Sequence, residues 1–102
     1  STVTRIEDYG LCGAFNVTSL TLPSSLKYIG ENALTNMISV SKLNVPSSVT
    51  FVGKEAFQNW GASKTTQTIN FACSQDYALA NFDANFLMSI GKSISIVYDY
   101  GA

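Results

Sequence analysis

Histidine is absent from the 102 residues of this chain. Without imidazole there is no Ser-His-Asp or Cys-His nucleophile system within it, and the commonest transition-metal ligand is missing. Charge is scarce as well. Charged residues make up 13% of the chain, about half the usual share, and six Lys and Arg against seven Asp and Glu leave a net charge of −1. The cations stand singly, so no basic stripe is available to follow a phosphate backbone, and nucleic acid is not expected as a partner. No apolar run approaches the length of a membrane-spanning helix, and direct membrane insertion is not expected. Glycines occur singly and no EF-hand or zinc spacing exists, which leaves no phosphate loop or metal motif and no expected cofactor. Cysteine is limited to Cys12 and Cys73, too few for a disulfide framework.

What the chain does contain is an internal repeat. Leu20-Thr-Leu-Pro-Ser-Ser-Leu-Lys-Tyr-Ile-Gly-Glu-Asn-Ala-Leu34 returns as Leu43-Asn-Val-Pro-Ser-Ser-Val-Thr-Phe-Val-Gly-Lys-Glu-Ala-Phe57. Pro23/Pro46, Ser24/Ser47, Ser25/Ser48, Gly30/Gly53 and Ala33/Ala56 are identical at an offset of 23 residues. Leu20/Leu43, Leu22/Val45, Leu26/Val49, Ile29/Val52 and Leu34/Phe57 stay apolar at the same offset. A fixed period in the twenties marks a solenoid whose coils stack and bury a shared core. A partial first copy places Val3, Ile6, Gly10 and Leu11 on the Leu26, Ile29, Ala33 and Leu34 columns. Ser1 thus falls in mid-pattern, and the expectation is a fragment of a longer protein, with Ser1 to Arg5 as a makeshift cap the alternative. Cys12 and Cys73 fall in the first and fourth coils. Coils spaced at roughly 4.8 Å separate them beyond the ~7 Å reach of a disulfide, so two buried free thiols are expected.

Within a coil, Leu20-Thr-Leu22 and Leu43-Asn-Val45 alternate as half-buried strands, and Pro23 and Pro46 end them because proline cannot donate to a ladder. Gly30 and Gly53 mark a special conformation or a close approach of backbone. Leu11, Leu34 and Phe57 are expected to plug the core from the convex side. A three-residue insertion around Trp60–Lys64 then displaces the third strand to Gln67–Phe71, with Ile69 and Phe71 inward. The insertion is expected to bulge on a rim, leaving Trp60 either a contact for a partner or a lid over the third coil. Beyond Phe71 the pattern breaks. Asp76 to Met88 reads as a helix capped by Asp76 or Ser74 and ended by Gly91, with Tyr77, Ala80, Phe82, Phe86, Leu87 and Ile90 on its apolar face. Ser93–Tyr98 reads as a last strand with Ile94 and Ile96 beside Ile69 and Phe71, and Tyr98 and Tyr100 as its cover.

The pattern Leu-x-Leu/Val-Pro-Ser-Ser-hydrophobic-x-x-Ile/Val-Gly-x-x-Ala-Phe/Leu resembles the BspA-type leucine-rich repeat over residues 1 to about 57, and more weakly to Phe71. The departures are Glu7 for glycine, Gly10 for alanine, Leu34 for phenylalanine and the insertion near Trp60. The resemblance implies a parallel-stranded solenoid from a secreted or cell-surface protein, linked to adhesion and protein binding.

The expected fold is an α/β repeat solenoid, a leucine-rich-repeat-like right-handed coil. It has a parallel sheet on one face, irregular turns on the other and a C-terminal helix-strand cap. Residues 1–71 form the coils and 72–102 the cap of one domain. The outward strand positions Ser19, Thr21, Lys42, Asn44, Thr68 and Asn70, with Trp60 on the rim, are the candidate contacts for a protein or glycan partner. These positions are small and hydrogen-bonding with no aromatic anchor, so a solvated sheet surface is the competing reading. Asn44 and Asn70 are also placed to bond along the stack as a structural ladder. No pair of carboxylates is spaced for acid/base work. A non-enzymatic recognition or adhesion module is expected, with a structural spacer that displays another domain as the alternative. Asn16-Val-Thr18 is a formal glycosylation sequon, meaningful in a eukaryotic secretory route.

Overall fold

A computed structural model of the chain describes residues 3–14, 16–62 and 66–101. The expected matches of Ser1 and Thr2, and the Ser63–Lys64 end of the insertion, lie outside these residues. In order along the chain come β1 (Arg5–Ile6), β2 (Tyr28–Ile29), β3 (Lys42–Val45), β4 (Phe51–Val52), β5 (Gln67–Phe71), α1 (Gln75–Asn81) and β6 (Ile94–Val97). The strands build two parallel sheets, β1-β2-β4 and β3-β5-β6, in a β-solenoid of about three turns.

The 23-residue period appears directly as strand register. Arg5 lies beside Tyr28 and Tyr28 beside Phe51, while Ile6, Ile29 and Val52 form the next row. These short strands occupy the short extended stretch that the repeat places after the proline turn, and they pair into a sheet of their own on the side where irregular turns alone were expected. They form a sheet because each coil repeats the same bonds: Lys27 N–H donates to Thr4 O and Thr50 N–H to Lys27 O, both at 2.8 Å. In the second sheet Lys42–Val45 lies on Thr68–Phe71, so Asn44 meets Asn70 at an offset of 26 residues. The three extra residues are the insertion after Phe57.

Leu20–Leu22 does not join that sheet as a strand. Among the described residues no backbone hydrogen bond ties it to β3. It lies at the end of the described stack, where a coil flanks it on one side, yet Leu22 is buried and Leu20 packs on the core. The same position explains why Leu11 is 36% exposed while Leu34 and Phe57, its equivalents deeper in the stack, are fully buried. Cys12 is also exposed rather than buried, and both cysteines are free thiols.

Close stacking dictates small residues. A Cβ on Gly53 would lie 2.5 Å from Glu31 N, and one on Gly30 would lie 2.6 Å from Asp8 N. The close approach of the preceding coil, not a positive φ, is therefore what these glycines serve. Left-handed backbone falls instead on two other columns at the repeat offset. Tyr9, Asn32 and Glu55 have φ of 60°, 55° and 54°, and Gly13, Asn36 and Asn59 have 82°, 64° and 70°. Asparagine and glycine tolerate this conformation best, and they hold four of the six positions. The turns so formed pass hydrogen bonds between coils: Leu11 N–H to Ala33 O, Leu34 N–H to Ala56 O, and Asn36 N–H to Gln58 O.

The core runs up the stack as Leu26, Ile29, Leu34, Leu43, Val49, Val52, Phe57, Ile69 and Phe71, all 1% exposed or less. Trp60 joins it. The indole is fully buried, meets Phe57 edge-on at 5.6 Å and donates from Nε1 to Leu34 O at 2.7 Å. It is thus neither a rim contact nor a surface residue. The longer loop that surrounds it is held by Gln67, a buried side chain whose role the sequence reading missed. Gln67 Oε1 accepts from Gly61 N–H, and Nε2 donates to Met37 O and Val40 O, each at 2.8 Å.

At the C-terminal end the helix is shorter than expected. Ser74 caps it, its Oγ accepting from Tyr77 N–H, and Phe82 closes it after Asn81, well before Gly91. Residues 82–91 form further turns of the stack: Asp83 N–H donates to Val52 O, Glu55 N–H to Asn85 O, and Asn59 N–H to Ser89 O. Leaving the helix lets Phe82 and Phe86 pack on Phe71, with ring centroids at 6.2 and 5.9 Å. Tyr77 and Ala80, expected on a buried face, are consequently exposed, and Ala78 is the one buried residue of α1. Strand β6 sits two residues away from the expected register, with Ile94 beside Gln67 and Ile96 beside Ile69. Inward and outward faces are preserved by this shift. Gly91 N–H and Ser93 N–H, anchored on Trp60 O and Gly61 O, bring the chain into the sheet early, and Tyr98 reaches Phe71 to stack on it at 5.4 Å.

Candidate functional site

The strand face of the second sheet carries a groove of about 440 Å³. Its polar lining is Ser19, Thr21, Lys42 and Asn44, four of the seven side chains expected on sequence grounds to meet a partner. Strand alternation explains the grouping: in β3 Leu43 and Val45 point into the core, which leaves Lys42 and Asn44 outward. Ser19 and Thr21 take the matching places on the unpaired Leu20–Leu22 segment. Past the strand ends, Pro46, Ala72 and Tyr100 close one end of the groove.

The sequence reading placed Tyr100 as a cover for the last coil. Tyr98 fills that role, half-buried against Phe71, whereas Tyr100 is 42% exposed and turns to the groove. A hydrogen bond from Tyr100 N–H to Phe71 O at 3.0 Å fixes its backbone there. An aromatic side chain thus reaches a surface that strand alternation alone leaves without one. The reversal after β6 brings it there, and the sequence pattern carries no signal for that reversal.

The remaining three expected contacts lie elsewhere. Thr68 is half-buried on β5 beside Lys42. Asn70 is only 3% exposed, and its Nδ2 donates to Asn44 Oδ1 at 3.0 Å. This is the expected ladder along the stack, and it fixes the orientation of the Asn44 side chain. Trp60 faces the core, closed to a partner. A second ladder links Asn59 Nδ2 to Asn36 Oδ1 in the turns.

Cys73 and Tyr98, close in sequence to the lining residues Ala72 and Tyr100, are both half-buried. Burial raises the pKa of the Cys73 thiol, reinforced by the charge of Asp99, and burial likewise raises that of Tyr98. Both stay protonated at neutral pH, so Cys73 is held away from the thiolate form a nucleophile needs. Among the described residues no group of three or more Cys, Asp or Glu is placed to hold a metal ion.

A second outward column, Arg5–Tyr28–Phe51, runs along the first sheet. The rings stack at 5.5 Å and the Arg5 guanidinium lies 4.0 Å from the Tyr28 centroid. Its polar ends are already engaged, Arg5 with Glu7 at 3.1 Å and the Tyr28 hydroxyl donating to Asp8 at 3.3 Å. Burial, followed by the Asp8 charge, raises the Tyr28 pKa. The column holds coils together and offers a partner little that is unmet.

Comparison with known families decides the class. The model of the BspA-type leucine-rich repeat region matches residues 1–100 in six copies. The chain belongs to this family. The BspA-type match continues past Phe71, where the sequence motif fades, through α1 and β6, in keeping with the return of residues 82–91 to the stack. BspA-type repeats are generally non-enzymatic binding or scaffold modules, and they typically occur in surface or secreted proteins. No helix among the described residues is long and apolar enough to cross a membrane. Among curated proteins and solved structures no match is found.

Proposed function

We propose that the chain is a non-enzymatic recognition module of a secreted or cell-surface protein, and that it binds a protein or glycan partner, rather than nucleic acid, through the strand-face groove. In this reading residues 1–71 and the closing segment 72–102 act as one domain. The supporting observation is the convergence of Ser19, Thr21, Lys42 and Asn44 with Tyr100 on a single groove. A spacer reading draws on the bond between Asn44 and Asn70, which uses two outward side chains for the stack itself.

Thr21→Arg fills the groove, and Thr50→Arg places the same side chain on an exposed turn that does not line it. Both variants are to be compared with the wild type for binding to panels of immobilised extracellular proteins and glycans. Recognition through the groove requires that Thr21→Arg lose binding and Thr50→Arg keep it. Equal binding by both variants, or none by the wild type, favours the spacer.

A further inference from the structure

Resting on the groove as a recognition site, we infer that its ligand is a carboxylate-bearing saccharide, such as a uronic acid-containing glycan. The first reason is the polar chemistry of the groove. Of its apolar lining, Leu22 and Val45 are buried in the core, while Leu20, Pro46 and Ala72 are half-buried and leave a shallow apolar floor. The polar groups set around that floor are two hydroxyls, one amide, one ammonium and the phenol of Tyr100. Hydroxyls and a carboxamide donate and accept at once, which suits the dense hydroxyl array of a sugar. The Asn44 carboxamide is held in orientation by its bond to Asn70, so little rotamer freedom is lost when it binds. The exposed face of Tyr100 offers a flat apolar surface with a polar tip, matching a pyranose that carries C–H groups on one face and hydroxyls on its rim.

The second reason is charge. Lys42 is the sole charged residue lining the groove, is exposed, and forms no ion pair among the described residues. An ammonium in an otherwise neutral groove is complemented by one anionic group, and a uronic acid places its carboxylate on the same ring that stacks. A lone cation falls short of what a polyphosphate backbone requires.

The test is a titration of the ¹⁵N-labelled protein by NMR with three probes in parallel: a hyaluronan tetrasaccharide, the same tetrasaccharide with its carboxylates reduced to alcohols, and an acidic peptide. The expected result is amide shifts confined to the groove, at Thr21, Lys42, Asn44 and Tyr100, with the carboxylated sugar alone. Lys42→Gln keeps the fold, checked by its spectrum, and loses about 10–100-fold in affinity, the worth of one charge-assisted hydrogen bond. Tyr100→Ala likewise weakens binding of the carboxylated sugar. Equal affinity for the reduced sugar, or an unaffected Lys42→Gln, overturns the assignment of a carboxylate. Groove shifts with the peptide alone overturn the saccharide class while the groove stands as a recognition site. Shifts away from the groove, or none with any probe, overturn the saccharide inference, and the immobilised-panel comparison then decides the groove separately.

Discussion

Gly53 shows how little freedom a coil-to-coil contact leaves a single residue. The nearest backbone atom, Glu31 N, would stand 2.5 Å from an added Cβ, and backbone cannot rotate aside as a side chain can. Gly53→Ala should therefore cost about 1–3 kcal/mol, measured by urea denaturation. Tyr9 poses the opposite problem. It is 58% exposed, so its ring gains little, yet its φ of 60° places an L residue in the left-handed region. Tyr9→Asn, which copies Asn32 one coil on, should stabilise the protein by about 0.5–1 kcal/mol in the same assay. The glycines were legible in the sequence as fixed points of the repeat, and the close approach accounts for them. The left-handed columns were not, because Tyr9, Asn32 and Glu55 share no chemistry that marks them as equivalent.

Each strand or turn in this fold draws its stability from the coil beside it. The clearest case is Gln67, which takes the Gly61 N–H of the loop between Phe57 and β5 and gives its own N–H groups to Met37 O and Val40 O in the turn one coil back. Gln67→Leu keeps the volume and removes three bonds, leaving one N–H and two carbonyls to shed water without compensation. About 2–4 kcal/mol should be lost, seen as a lower denaturation midpoint with an unchanged slope. Such a residue is hard to foresee: a glutamine at an inward strand position looks like an error of register until the loop it serves is known. Helix α1 was misjudged in length for a related reason. Phe82 and Phe86 suit a helical stripe as well as they suit rows packed on Phe71, and the packing of the coil decided between the two. The groove was legible only in part. Alternation exposed Lys42 and Asn44, whereas Tyr100 arrives through a chain reversal and Trp60 is drawn inward by Phe57 and Leu34 O.

For the whole molecule, position along the stack decides what a side chain contributes. Leu11 and Leu34 occupy one column, yet the first is 36% exposed and the second fully buried. Leu34→Ala should cost about 2–5 kcal/mol and Leu11→Ala less than about 1 kcal/mol, compared in one denaturant series. Equal losses would contradict the view that burial here is conferred by neighbouring coils. The period itself was the most legible feature, since identical residues at one offset leave a single way to stack, and Ile6, Ile29 and Val52 lie as that offset requires.

The rule that places Lys27 N–H on Thr4 O also places Thr50 N–H on Lys27 O. Excising residues 24–46 would hence offer Thr50 to Thr4 and return every later contact to a partner of the same kind. A gene copied with a slip of one whole period would still encode a foldable product, shorter or longer by a storey. A slip of one amino acid inside a strand would turn its apolar column toward water, so such a lineage is free to change its height, while odd residues must loop out in a turn as those after Phe57 do.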